Sequence, residues 1–132
     1  IMDSEDALLA VKAGADAIII SNHGGRQLDG APSTISVLPE IVDVINSKAE
    51  VHFDGGIRSG QDVLKALALG ADCIHIGRPY VYGLGARGQE GVEIAIEIIK
   101  KELDLTMAMC GETNISNVGL HNLHRNPFKI NN

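Results

Sequence analysis

Three short segments hold most of the residues able to do chemistry. They are Ser21-Asn22-His23-Gly24-Gly25-Arg26, then Asp54-Gly55-Gly56-Ile57-Arg58-Ser59-Gly60, then Gly77-Arg78-Pro79. In the first, His23 is a candidate base, because neutral imidazole accepts a proton near pH 7. Arg26 follows after two glycines that let the chain turn sharply. A guanidinium beside a base suits an anionic substrate: the arginine grips a carboxylate while the histidine takes a proton from the adjoining carbon or hydroxyl. A structural hydrogen bond is the plainer role for a loop histidine, but Ser21 and Arg26 at the same strand end favour chemistry. In the other two segments glycines precede an arginine. Bare backbone N–H groups can then approach an oxyanion, and Arg58 or Arg78 adds a fork of charged donors. A helix start near Gln61 would add a favourable dipole end. One such loop is most simply a tight turn with a solvated arginine; two on neighbouring strands point to phosphate.

The elements behind these segments follow from an internal repeat. Residues 6–16 read Asp-Ala-Leu-Leu-Ala-Val-Lys-Ala-Gly-Ala-Asp, and residues 62–72 read Asp-Val-Leu-Lys-Ala-Leu-Ala-Leu-Gly-Ala-Asp. Each predicts a helix with an acidic or polar start, ended by Gly14 or Gly70 in a left-handed conformation. A short apolar run follows each, Ala17–Ile20 and Cys73–Ile76. Such unbroken runs read as parallel strands covered on both faces. Val51-His52-Phe53 is a further strand. The helix before it is expected to start at Ser36 with Pro39 in its first turn. A long amphipathic helix is expected from about Gln89 to Met109, stopped by Gly111. A polar tail, residues 112–132, offers Leu120, Leu123 and Phe128 as docking points. Helices alternating with strands imply a parallel α/β sheet whose loops meet at one rim. Three strands cannot close a barrel, and eight units need about 250 residues, so residues 1–132 are expected to form part of a larger β/α array.

Composition excludes several classes. Hydrophobic residues make up 45% of the 132, enough for a core, and aromatics only 3%, so that core must be aliphatic. Eleven basic against 17 acidic residues leave a net charge of −6, which argues against a general nucleic-acid partner. No apolar stretch approaches the ~20 residues of a membrane span. The opening Ile1-Met2-Asp3-Ser4 does not look like a secretory leader, and two cysteines make no disulfide framework, so a cytoplasmic setting is expected. No usual metal constellation is visible: His52 and His75 lie within strands as core or lumen residues, His121 and His124 in the tail. Cys73 reads as a small buried hydrophobe and Cys110 as an ordinary helix-end residue. Open sheet edges make a homo-oligomer the expected state of the full-length form.

Taken together and in order, the three segments resemble the FMN-dependent 2-hydroxy-acid oxidising family, whose members include glycolate oxidase, lactate oxidase and the flavin L-lactate dehydrogenases. Asn126-Pro127-Phe128 looks most like the lactate-oxidising members. The resemblance implies the carboxyl-terminal portion, the last three strands and their helices, of a TIM (β/α)8 barrel carrying FMN. It implies His23 as the base and Arg26 as the binder of the substrate carboxylate. Ser21 would contact the flavin ring, while Asp54, Gly55, Gly56, Arg58, Gly77 and Arg78 would hold its phosphate end. The implied reaction converts a small L-2-hydroxy acid to the 2-oxo acid. The lysine that the family places just before the segment corresponding to Ile1 is not in this sequence, nor are the upstream tyrosines, so the chain is expected to be an inactive fragment by itself. Two other functions fit part of the pattern: another barrel enzyme with a similar phosphate grip, which the His-Gly-Gly-Arg loop disfavours, and a truncated product that at most binds a phosphate-bearing ligand.

Overall fold

Each copy of the repeat folds as a helix followed by a strand, and the two strands flank a third. In the computed structural model, which describes residues 1–124, helix α1 (Ser4–Lys12) is capped by Asp3. The Asp3 carboxylate accepts from the N–H groups of Glu5 (2.8 Å) and Asp6 (3.3 Å). Helix α3 (Gly60–Ala68) is capped by Ser59, with Asp62 completing a reciprocal capping box. The repeated aspartates Asp6 and Asp62 are therefore the third helical residues, and the caps lie three residues earlier than the repeat itself. Gly14 and Gly70 leave the two helices with the same φ of +100°. At Gly70 a side chain would also collide with Val42, at 2.7 Å.

Helix α2 (Thr34–Ile45) starts earlier than expected. Its cap is Ser33, extended at φ −68° and ψ 142°, which places Pro39 in the second turn. Ser36 does not cap but donates its hydroxyl proton back to the Ser33 carbonyl at 2.7 Å. Strands β1 (Ala17–Ile20), β2 (Glu50–Asp54) and β3 (Cys73–His75) form a parallel sheet in chain order. The register sets Ile20 beside Phe53, His52 beside Cys73 and Asp54 beside His75. The Asp72 carboxylate accepts from the Val51 N–H at 2.8 Å, and the Ile1 ammonium donates to the Ile19 carbonyl at 3.0 Å along the free edge of β1.

Only one face of this sheet is covered by the described residues, in contrast to the two-sided burial that the apolar runs predict. Ile18, Ile20, Val51 and Phe53 point into a core completed by Ala7, Leu38, Ile41, Ile45, Val63 and Ala66 from α1 to α3. Each large side chain buried there contributes about 1.5–3 kcal/mol. The opposite face carries Ile19, 46% exposed, with half-buried His52 and exposed His75. Those histidines thus lie outside the helix-covered core.

Helix α4 (Arg78–Met109) begins eleven residues before the expected start at Gln89, as a separate segment ahead of a break at Arg87 and Gly88. Its two segments cross where the backbones of Gly83 and Gly91 touch, so closely that a Cβ at either would overlap the other's carbonyl. The second segment crosses α3 with Gly60 against the backbone of Leu103. Gly111 ends it at φ +77°. In the tail Leu123 packs on the core and Leu120 stays exposed; Phe128 and the Asn126-Pro127-Phe128 cue lie outside the described residues. Hydrogen bonds from Asn122 and His121 hold the Glu112 carboxyl below the usual carboxylate range and tie the tail to the end of α4.

Candidate functional site

The loops after the three strands meet at one rim. The first leaves β1 through Ser21 and turns at His23, Gly24 and Gly25, all with positive φ (56°, 66° and 71°). Two of these are glycines, which adopt this region freely; His23 is not, and a non-glycine residue there costs roughly 1–2 kcal/mol. The Ser21 hydroxyl supports the turn by accepting from the His23 N–H at 3.1 Å. It donates in turn to the Asp54 carboxylate at 2.5 Å, joining the ends of β1 and β2. Thr34 at the start of α2 donates to the Gly55 carbonyl at 3.2 Å. A Cβ at Gly55 would lie 2.9 Å from that Thr34 hydroxyl, so only glycine fits.

The third loop closes back on the first: Arg78 Nη2 donates to the Gly24 carbonyl at 2.8 Å. The result is an open cleft of about 570 Å3 lined by His23, Arg26, Asp54, Gly55, Gly56, Arg58, Gly77 and Arg78. Every sequence-predicted site residue except Ser21 lines it, and Ser21 is bonded to two that do. His23, Arg26, Arg58 and Arg78 are all exposed to it, so three cations and one imidazole face a common space.

The donors available to an anion differ from expectation. The first turn of α3 is already occupied: the Gly60 N–H goes to the Glu102 carboxylate (2.9 Å), the Asp62 N–H to the Ser59 hydroxyl (3.2 Å). Asp62 also takes the N–H groups of Arg58 and Ser59, both at 3.0 Å. Two carboxylates at this helix start repel an anion and so oppose the dipole contribution expected near Gln61. What remains is the Gly56 and Ile57 N–H pair, for which no described residue is an acceptor, and the opening turn of α4 at Gly77 and Arg78. Sequence reasoning missed that α4 starts at Arg78; Pro79, a residue favoured in a first turn, was the signal for it.

A smaller cleft of about 430 Å3 lies behind the rim, against Asn22, Thr34, Gly55, Lys65 and Arg78. The Asn22 side chain donates to the Pro32 carbonyl at 3.1 Å, while its buried Oδ1 has no partner among the described residues. Tyr80, Val81 and Tyr82 also line the larger cleft and were not expected there.

A family model described as FMN-dependent dehydrogenase matches residues 1–125. The chain is 49% identical over 130 residues to 2-hydroxyacid oxidase 1 of Mus musculus, covering 98% of this chain and 35% of that protein. It is 50% identical over 124 residues to L-lactate oxidase of Nostoc sp., covering 94% of this chain and 34% of that protein. Among solved structures, a mandelate oxidase variant with a monooxide FMN adduct superposes with a TM-score of 0.86 at 48% identity, covering 89% of this chain and 38% of the other. The chain thus spans about a third of the length of these relatives.

Proposed function

The chain belongs to the FMN-dependent dehydrogenase family, and on that premise we propose that it forms the last three β/α units of a (β/α)8 barrel that oxidises a small, lactate-like L-2-hydroxy acid to the 2-oxo acid with FMN. The observation carrying this reading is the single cleft that gathers His23, Arg26, Arg58 and Arg78 from three different loops. The residues fit a phosphate-bearing flavin. Gly56 and Gly77 border open space where a Cβ would meet nothing within 4 Å, the N–H groups of Gly56 and Ile57 have no acceptor among the described residues, and two guanidinium groups line the same cleft.

Arg58 and Arg78, with Gly55, Gly56 and Gly77, hold the phosphate end. Arg78 keeps one N–H on Gly24 and has further donors to give. Ser21 would contact the ring, and Asp54, joined to it, would stand with the residues at the phosphate end. FMN, when bound, supplies an acceptor for the two electrons released as the substrate is oxidised. Arg26 pairs with the substrate carboxylate and so orients C2, while His23 takes the proton that leaves C2 or its hydroxyl. The left-handed turn at residues 23–25 sets the spacing between those two groups.

FMN titration, followed by flavin fluorescence, tests the phosphate assignment. The chain alone is expected to bind FMN weakly and to show no turnover of L-lactate. Arg78→Ala removes a charge-assisted contact and weakens FMN binding about tenfold. An unchanged affinity in that variant counts against the phosphate assignment. Turnover by the chain alone at the rate of a full-length relative overturns the proposal that it is a part of the barrel.

A further inference from the structure

The sheet face left uncovered by the described residues carries a cluster that the flavin chemistry leaves unused. His52 and Cys73 are direct partners in the β2–β3 register, and His75 lies two residues further along β3 on the same face. One ligand atom from each converges: His52, Cys73 and His75 offer ring nitrogens and a sulfur all within 4.8 Å of one another. The His52 Nδ1 and His75 Nε2 atoms are 3.1 Å apart. Two nitrogens bound to one tetrahedral zinc ion at ~2.05 Å stand about 3.3 Å apart, so the two rings need little movement, and the Cys73 sulfur closes in on the ion by a side-chain adjustment.

The other side of His52 supports the same conclusion. Its Nε2 lies 3.0 Å from Glu50 Oε2, two residues earlier on the same strand. A carboxylate that takes the Nε2 proton fixes the tautomer and leaves the Nδ1 lone pair directed at His75 and Cys73. This carboxylate–histidine pairing is the usual support of a metal-bound imidazole. Cys73 is a free thiol and half-buried, and it would bind as the thiolate.

We propose that His52, Cys73 and His75 form a binding site for a divalent transition ion of the zinc class, with Glu50 orienting His52. One thiolate and two imidazoles suit zinc or cobalt(II) and disfavour magnesium or calcium, which require oxygen ligands. No further described His, Cys, Asp or Glu joins the three, and His75 also lines the main cleft, so the ion would lie beside that cleft. No spacing motif announces it, because the ligands come from two strands and meet only through the register. The site goes beyond the flavin reading and does not depend on it.

Cobalt(II) titration of the full chain tests the site with a readout independent of turnover. The expected result is one ion per chain, with visible bands of tetrahedral cobalt and a near-ultraviolet thiolate charge-transfer band, both displaced by zinc. Cys73→Ser abolishes the charge-transfer band, whereas Cys110→Ser retains it. Glu50→Gln, an exposed substitution that leaves the ligands in place, weakens binding about 10- to 100-fold. Far-ultraviolet circular dichroism confirms that each variant is folded. Binding that persists in His75→Ala but disappears in His121→Ala would place the ion in the tail and overturn the proposal, as would a charge-transfer band that survives Cys73→Ser.

Discussion

Ser21 is the residue on which the rim's geometry turns. Its hydroxyl donates to Asp54 and accepts from the His23 backbone, so one atom fixes both a neighbouring strand end and a residue held at φ 56°. Replacing it by alanine leaves the His23 N–H and a half-buried carboxylate without that partner. Ser21→Ala is expected to lower the unfolding free energy by about 1–2 kcal/mol and to speed amide exchange at His23. Urea denaturation and hydrogen exchange read the two effects; a variant with wild-type exchange at His23 would remove the hydroxyl from its supporting role. The turn that carries His23 and Arg26 was legible in the sequence, because glycines beside charged groups announce one. The role of Ser21 as a bridge was not, since its partner Asp54 is 33 positions away.

At the scale of elements, the start of α3 illustrates how a local signal can be right in kind and wrong in use. An acidic start was visible in the repeat, yet which N–H groups Asp62 would take was not. They turn out to be those of Arg58 and Ser59, and Glu102 from α4 takes that of Gly60. Ser59→Ala breaks the reciprocal box and is expected to cost about 1 kcal/mol, read as a lower denaturation midpoint at unchanged slope. A midpoint equal to wild type would mean that Asp62 and Glu102 suffice alone. The first segment of α4 was hidden for a different reason. Arg78–Ala86 contains Pro79, Gly83 and Gly85, poor residues for a helix interior. Its helicity is secured by tertiary contact, because Gly83 allows Gly91 to pack directly on it. The apolar runs of β1 and β3 likewise named strands but could not say how many of their faces are covered.

The molecule as a whole leaves one sheet face and much of α4 without cover from the described residues. Ile19, Tyr82, Leu84, Ile98, Leu105 and Met109 are each more than two-fifths exposed. An apolar surface of this extent seeks a partner in water. Sedimentation velocity of the isolated chain is expected to show concentration-dependent self-association; a single monomeric species at every concentration would contradict that. The crossing of Gly83 with Gly91 has a mechanical result for the rim. Two rods that meet peptide to peptide have no side-chain cushion between them, so the joint cannot absorb a displacement by rotamer change. The second segment of α4 is held again where Leu103 meets Gly60, so the two segments are tied to each other, and the second to α3, by backbone contact. Arg78 stands at the start of the first segment, so a displacement carried through the joint is felt at its hydrogen bond to the Gly24 carbonyl.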